Sequence, residues 1–188
     1  MDNFGMKLLI ASDIHGSAEY CRRLLEAYSR ERADRLILLG DLLYHGPRND
    51  LPEGYAPKEV IAMLNAHAEE LLCVRGNCEA EVDQMVLRFP IMAEYALILY
   101  GRRVICLTHG HRMNADCPPP LKEGDLLVFG HTHVPMCEER GGLLCCNPGS
   151  VSIPKEGSPH SYMTVEGGRL LWKRLDTSVF MEREIDLN

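Results

Sequence analysis

Five apolar runs in this chain each end at a polar side chain able to bind a metal or a proton, and that repeated ending limits what the chain can fold into. "MKLLIAS" (6–12) stops at Asp13-x-His15. "RLILLG" (35–40) stops at Asp41 and "ELLCVRG" (70–76) at Asn77. "RRVICLTHG" (102–110) closes on His109, and "LLVFG" (126–130) runs into His131-x-His133. An aspartate after a strand is normally a turn or a helix cap, so one such ending means little. Five alike are hard to attribute to turns.

The segments between the runs set the architecture. Residues 17–32 have helical periodicity, with Leu24, Leu25 and Tyr28 on one side and Ser17 as N-cap. A Gly/Pro-rich loop (42–57) precedes a second helix (57–68), for which Pro57 suits the first position. A short amphipathic helix is expected at 79–88. The first half therefore reads β-α-β-α-β, and in such sheets ligands bind outside the carboxyl ends of the strands. The second half reads as hairpins instead: 94–100 with 102–110 about Gly101-Arg102, 136–147 about Gly141-Gly142, and 161–175 about Gly167-Gly168. The expected fold class is α/β, an α+β sandwich of two packed mixed β-sheets flanked by helices, forming one domain over 1–188. Strand alternation would place His131 and His133 on one face.

Composition narrows the function classes. The chain has 188 residues, 46% of them apolar, enough for a sizeable core. Its net charge of −7 makes it a poor partner for nucleic acid or an anionic membrane, which need basic surface. No apolar run approaches the ~20 residues of a membrane span. "MDNFGMKLLIASD" lacks the basic leader of a signal peptide, and "MDNFG" reads as a short frayed extension. The eight cysteines form no C-x-x-C pair, so reduced thiols and a cytoplasmic location are expected.

Two carboxylates, four imidazoles and one amide make a hard-to-borderline donor set without thiolate, suited to Mn, Fe, Zn or Co. Seven donors exceed what one ion needs when water and substrate must also bind. A carboxylate can bridge two ions, and pairs ~3.5–4 Å apart stabilise both oxygens of a displacement at phosphorus.

The order D-x-H, GD, GN, H, GH-x-H resembles the calcineurin-like metallophosphoesterase superfamily. The stretches "HGPRNDLPEGYAP", "VRGNCEAEVDQM" and "NPGSVSIPK" are similar to those of its bacterial YfcE-type phosphodiesterases. The resemblance runs from Met6 over nearly the whole chain. It implies a helix-flanked β-sandwich with a two-metal site at one edge. Asp13, His15 and His133 would hold one divalent ion, with Mn2+ the first choice. Asn77, His109 and His131 would hold the other, and Asp41 would bridge both. A hydroxide between the ions would attack the phosphorus of a small phosphodiester in line with the leaving oxygen.

One departure concerns Cys78, in Gly76-Asn77-Cys78-Glu79. Many relatives carry there a histidine that protonates the leaving group. The YfcE-type group resembles this chain in having cysteine, a weak proton donor. That leaves the general acid open. His45 could contact phosphate oxygens or protonate the leaving group, or could be a loop histidine bound to backbone. His111 could face substrate or steady a neighbour. Arg75 could bind phosphate or form a salt bridge, and Cys78 could line the site or simply pack. His67 and His160 follow no strand end and read as local hydrogen-bonding residues. Asn147-Pro148-Gly149-Ser150 reads as a turn shaping the rim. A phosphomonoesterase or nucleotidase on the same site is the alternative activity. A metal-free protein-binding scaffold, as in a retromer subunit, is the alternative outside catalysis. Apolar groups in 51–57 suggest an interface or lid, so a dimer or tetramer is open.

Overall fold

A computed structural model describes residues 5–186; most of the expected N-terminal extension, residues 1–4, lies outside them. Strands β1 (Leu8–Ala11), β2 (Arg35–Leu38) and β3 (Leu71–Cys73) pair in parallel, joined by helices α1 (Ala18–Glu31) and α2 (Pro57–Ala66). The β-α-β-α-β reading holds. Helix α1 starts where Ser17 Oγ accepts the Tyr20 N–H (3.2 Å), and it ends at Arg32 in the left-handed conformation. Pro57 opens α2, where its missing N–H costs nothing.

The remaining strands are β4 (Tyr95–Tyr100), β5 (Arg103–Thr108), β6 (Leu126–Val128), β7 (Met136–Arg140), β8 (Leu143–Asn147), β9 (Ser161–Glu166), β10 (Arg169–Arg174) and β11 (Val179–Glu184). One sheet runs β11-β10-β9-β1-β2-β3 and the other β4-β5-β6-β8-β7. The three expected hairpins form, two of them around Gly-Gly turns in which both residues have positive φ. The second half is nevertheless not hairpins alone: β5, β6 and β8 are parallel neighbours. Sequence reading also missed β11, whose Glu182-Arg183-Glu184 shows no alternation because it is an exposed edge strand.

Alternation on β1 explains the layers. Leu8 and Ile10 enter the core between the sheets, with Ile37, Ile105, Val128 and Trp172. Leu9 and Ala11 face α1 and α2, with Leu24, Leu38 and Leu64. A third apolar cluster, including Cys106, Phe129 and Cys145, lies on the outer side of the second sheet beneath Ala115 and Leu121.

Two local expectations change. The third helix is only α3 (Glu81–Val86); it has no buried residue, and its Val82 and Met85 point to solvent. In the loop 51–57 only Leu51 is a strongly exposed large apolar group; Pro52 is buried and Tyr55 packs beside Gly16. No helix among the described residues is long and apolar enough to cross a membrane.

Candidate metal centre

The five strand endings meet at one edge of the sandwich. Past β1 and β2 the backbones stay laddered: Asp13 N–H donates to the Gly40 carbonyl (3.2 Å) and His15 N–H to the Asp41 carbonyl (2.8 Å). On the second sheet, Gly130 N–H donates to the His109 carbonyl (2.8 Å). Among the bonds between the sheets is one from the His131 N–H to Asp13 Oδ2 (3.1 Å).

These loops have unusual backbone. Eight non-glycine residues have positive φ among the described residues, and five of them are Asp13 (61°), His15 (49°), Asp41 (56°), His131 (67°) and His133 (62°). Left-handed backbone disfavours L side chains, and such strain concentrates where a site needs it. It also removes the alternation argument for the His pair. His131 and His133 lie past the end of β6, so strand periodicity does not govern where their rings point.

The side chains converge on one another. Asp13 Oδ1 is buried without a hydrogen-bond partner among the described residues; it meets His133 Nε2 at 3.2 Å and His15 Nε2 at 3.5 Å. The two ring nitrogens are 3.3 Å apart. Asp41 Oδ2 stands 3.7 Å from His15 Nε2 and 3.4 Å from His109 Nε2. His109 Nε2 is also 3.0 Å from Asn77 Oδ1 and 3.3 Å from His131 Nδ1.

The far nitrogens fix the tautomers. Nδ1 of His15, His109 and His133 lies 2.8, 2.7 and 2.6 Å from the carbonyls of Tyr44, Leu39 and Ile153. A carbonyl only accepts, so each Nδ1 carries hydrogen and each neutral ring turns a lone pair inward. Lone pairs and carboxylate oxygens facing one another at these distances form a seat for positive charge, either a metal ion or protons held between ring and carboxylate. This backbone-anchored ring arrangement is the one metal-ligating histidines adopt. The donor set fits divalent metal ions.

Without a metal ion, the two carboxylates draw positive charge onto the rings instead. Burial pushes the Asp13 carboxyl up, but contacts with His133 and His15 outweigh it and hold the group well below the usual range. Asp41 is likewise lowered, its burial outweighed chiefly by His109. Burial by itself would lower His109, yet Asp41 and Asp13 raise it to about 9.

The sequence pattern of the family described as Calcineurin-like phosphoesterase superfamily domain matches residues 6–168. The chain belongs to this superfamily. Among curated relatives, phosphodiesterase YfcE of Escherichia coli strain K12 is 52% identical over 157 residues, 84% of this chain and 85% of the relative. A solved structure of YfcE, a phosphoesterase from E. coli, superposes with TM-score 0.93 at 48% identity, covering 96% of this chain and 100% of that one. Vacuolar protein sorting 29 from Cryptosporidium parvum matches with TM-score 0.61 at 20% identity, covering 96% of this chain and 99% of that one; it shares the fold alone.

Beside the candidate ligands of this phosphoesterase lies a cleft of about 440 Å3. Cys78 lines it, within 4.8 Å of ligand atoms of His15 and Asp41. Burial and Asp41 push its thiol well up, so it stays protonated. His45 stands between Tyr44 and Tyr55, with ring centroids 4.7 and 5.4 Å away, and is not among the residues lining the cleft. His111 lies outside the lining as well, its ring 5.4 Å from His109 and 6.3 Å from His131. Arg75 donates to the Glu79 carbonyl (3.3 Å), in place of the expected salt bridge.

Sequence reasoning passed over Glu79. Its buried carboxylate accepts the backbone N–H groups of Asp41 (2.9 Å), Leu42 (2.7 Å) and Gly76 (2.5 Å), clamping the β2 ending to the β3 ending. Gly40 and Gly76 allow that approach, since a Cβ on either would collide with the other loop. The acidic residue after Asn77-Cys78 was the only signal for it. The 147–150 turn has a comparable role on the other sheet. Asn147 Nδ2 donates to the Gly130 carbonyl (2.7 Å) and Thr132 Oγ1 (3.1 Å), while Ser150 Oγ donates to the Asp13 carbonyl (3.0 Å).

Proposed function

We propose that this chain is a metal-dependent phosphodiesterase acting on a small phosphodiester, working as one domain over 1–188. The observation that carries the reading is Asp41: its Oδ2 faces histidines of both groups, as a ligand shared between two ions would. Asp13, His15 and His133 then hold one ion; Asn77, His109 and His131 hold the other. Mn2+ is the first choice, with Fe, Zn and Co compatible with the same donors. Bound divalent ions would supply Lewis-acid activation and neutralise charge on the phosphate.

The chain's own groups do the rest. His131 N–H and the Ser150 and Ser152 hydroxyls fix Asp13, and Glu79 fixes Asp41. Cys78, protonated at the cleft, contacts substrate as a weak donor, and Arg75 steadies the Asn77 loop or reaches phosphate. His45 and His111 are the candidates to protonate the leaving group: His111 stands beside His109 and His131, and His45 opens the loop that carries Arg48 to the cleft. Eight free cysteines suit a reducing, cytoplasmic setting.

The test compares bis-p-nitrophenyl phosphate with p-nitrophenyl phosphate on the Mn-loaded protein. Turnover of the diester, abolished in Asp41→Asn, is expected. Turnover of the monoester alone would reassign the protein as a phosphomonoesterase. No bound metal and no turnover would leave a scaffold.

A further inference from the structure

The cleft has more positive charge than hydrolysis of a simple diester needs. Outside the seven candidate ligands, the charged side chains lining it are Arg48 and Lys155. Neither has an ion pair or side-chain hydrogen bond among the described residues, although the chain carries a net charge of −7. Both stand on structured turns. Lys155 N–H donates to the His133 carbonyl (3.2 Å), and its own carbonyl accepts from the Ser158 N–H (3.0 Å) and Oγ (2.6 Å). Arg48 lies in a turn closed by Asn49, whose N–H donates to the Gly46 carbonyl (3.4 Å) and whose Nδ2 donates to the His45 carbonyl (2.8 Å). That turn abuts the Cys78 side of the cleft.

Charge accounting points to a use for these two groups, given the phosphodiesterase reading above. Two divalent cations are balanced by Asp13, Asp41, the single charge of a diester and the hydroxide that attacks it. Glu79, behind Asp41, is taken up by three backbone N–H groups and does not line the cleft, so Arg48 and Lys155 are left over at its wall. Unpaired cations in a concave site focus the field on anions. A guanidinium recognises carboxylate and phosphate through a planar fork, while an ammonium acts as a point charge. We propose that Arg48 and Lys155 bind a further anionic group, a phosphate or a carboxylate, on one ester arm of the substrate. The preferred substrate is then a diester of a phosphorylated or carboxylated alcohol.

The test uses the full chain loaded with Mn2+ and two synthetic diesters of equal length, p-nitrophenyl 2-carboxyethyl phosphate and p-nitrophenyl propyl phosphate. Wild type is expected to favour the carboxylate-bearing ester by roughly tenfold in kcat/KM, mainly through KM, with the advantage shrinking as salt rises. Arg48→Gln and Lys155→Gln each cut that ratio, and the double variant brings it to about one. Calorimetric titration with 2-carboxyethyl phosphate against propyl phosphate reads the same preference as a difference in Kd, without turnover. Equal kcat/KM and equal Kd in wild type, or a preference that survives the double variant, overturns the proposal. Hydrolysis of neither diester would sink the phosphodiesterase reading instead, and the calorimetric difference would still decide for or against the two cations.

Discussion

Glu79 shows how a residue that is not itself a candidate ligand can hold the loops that carry candidate ligands. Burial and the neighbouring Asp41 push its carboxyl up, against the three backbone donors that favour the charged form. A glutamine there keeps one acceptor and turns an NH2 group toward backbone N–H groups. Glu79→Gln is therefore expected to cost roughly 2–3 kcal/mol of stability. By freeing the loops of Asp41 and Asn77, it should also weaken Mn2+ binding ~10–100-fold. Thermal melts and Mn2+ titration measure the two effects separately. A variant that is destabilised but binds Mn2+ like wild type would show that the clamp supports the fold and not the metals.

At the scale of elements, helix α1 is tied to the first sheet by charge as well as by apolar packing. Glu31, in its last turn, meets Lys7 Nζ at 2.8 Å and Lys173 Nζ at 2.8 and 2.9 Å, and accepts the Tyr162 hydroxyl at 2.8 Å. Burial raises the Glu31 carboxyl, but Lys173 and Lys7 outweigh it and leave it below its ordinary value of 4.5. A lowered folded value means the stabilisation is present above the unfolded pKa and is lost as pH falls through the folded one. Lys7 is raised above 10.5, its burial outweighed by Glu31, so its share disappears as pH climbs through that raised value. Melting temperature should hold through neutral pH and fall at both extremes. Glu31→Gln should lose about 3 kcal/mol at pH 7 and show a flatter acid limb, since it leaves two lysines partly buried and unpaired. An unchanged acid limb would mean that other carboxylates carry it.

At the scale of the whole molecule, the candidate centre joins the two sheets. Asp13, Asp41 and Asn77 follow strands of the first, whereas His109, His131 and His133 follow strands of the second. Metal bound there stabilises the folded state by linkage, ~2.7 kcal/mol for one ion at a hundred times its Kd. That corresponds to about 5–10 °C in melting temperature for a chain of this size. Chelation should remove the increment and Mn2+ restore it, with Asp41→Asn responding least. Differential scanning calorimetry decides this, and a melting temperature indifferent to chelator would count against the centre.

The sequence by itself determined the parallel first half, the three hairpins and the strand endings that meet at the site. These depend on local properties: apolar runs of strand length, capping at Ser17, Gly-Gly turns, and polar residues where the runs stop. Only the tertiary structure decided what needs a second chain segment. The parallel pairing of β5, β6 and β8 depends on which runs become neighbours, and β11 exists because β10 offers it an edge. The left-handed backbone at His131 and His133 goes with hydrogen bonds from His131 N–H to Asp13 and from Asn147 to the Gly130 carbonyl, contacts that no alternation rule contains. The Glu79 clamp and the cleft positions of Arg48 and Lys155 join residues far apart in the chain. Residue type and spacing say which groups can bind a cation. The direction of each lone pair comes from backbone carbonyls that only the fold brings to the far side of each ring.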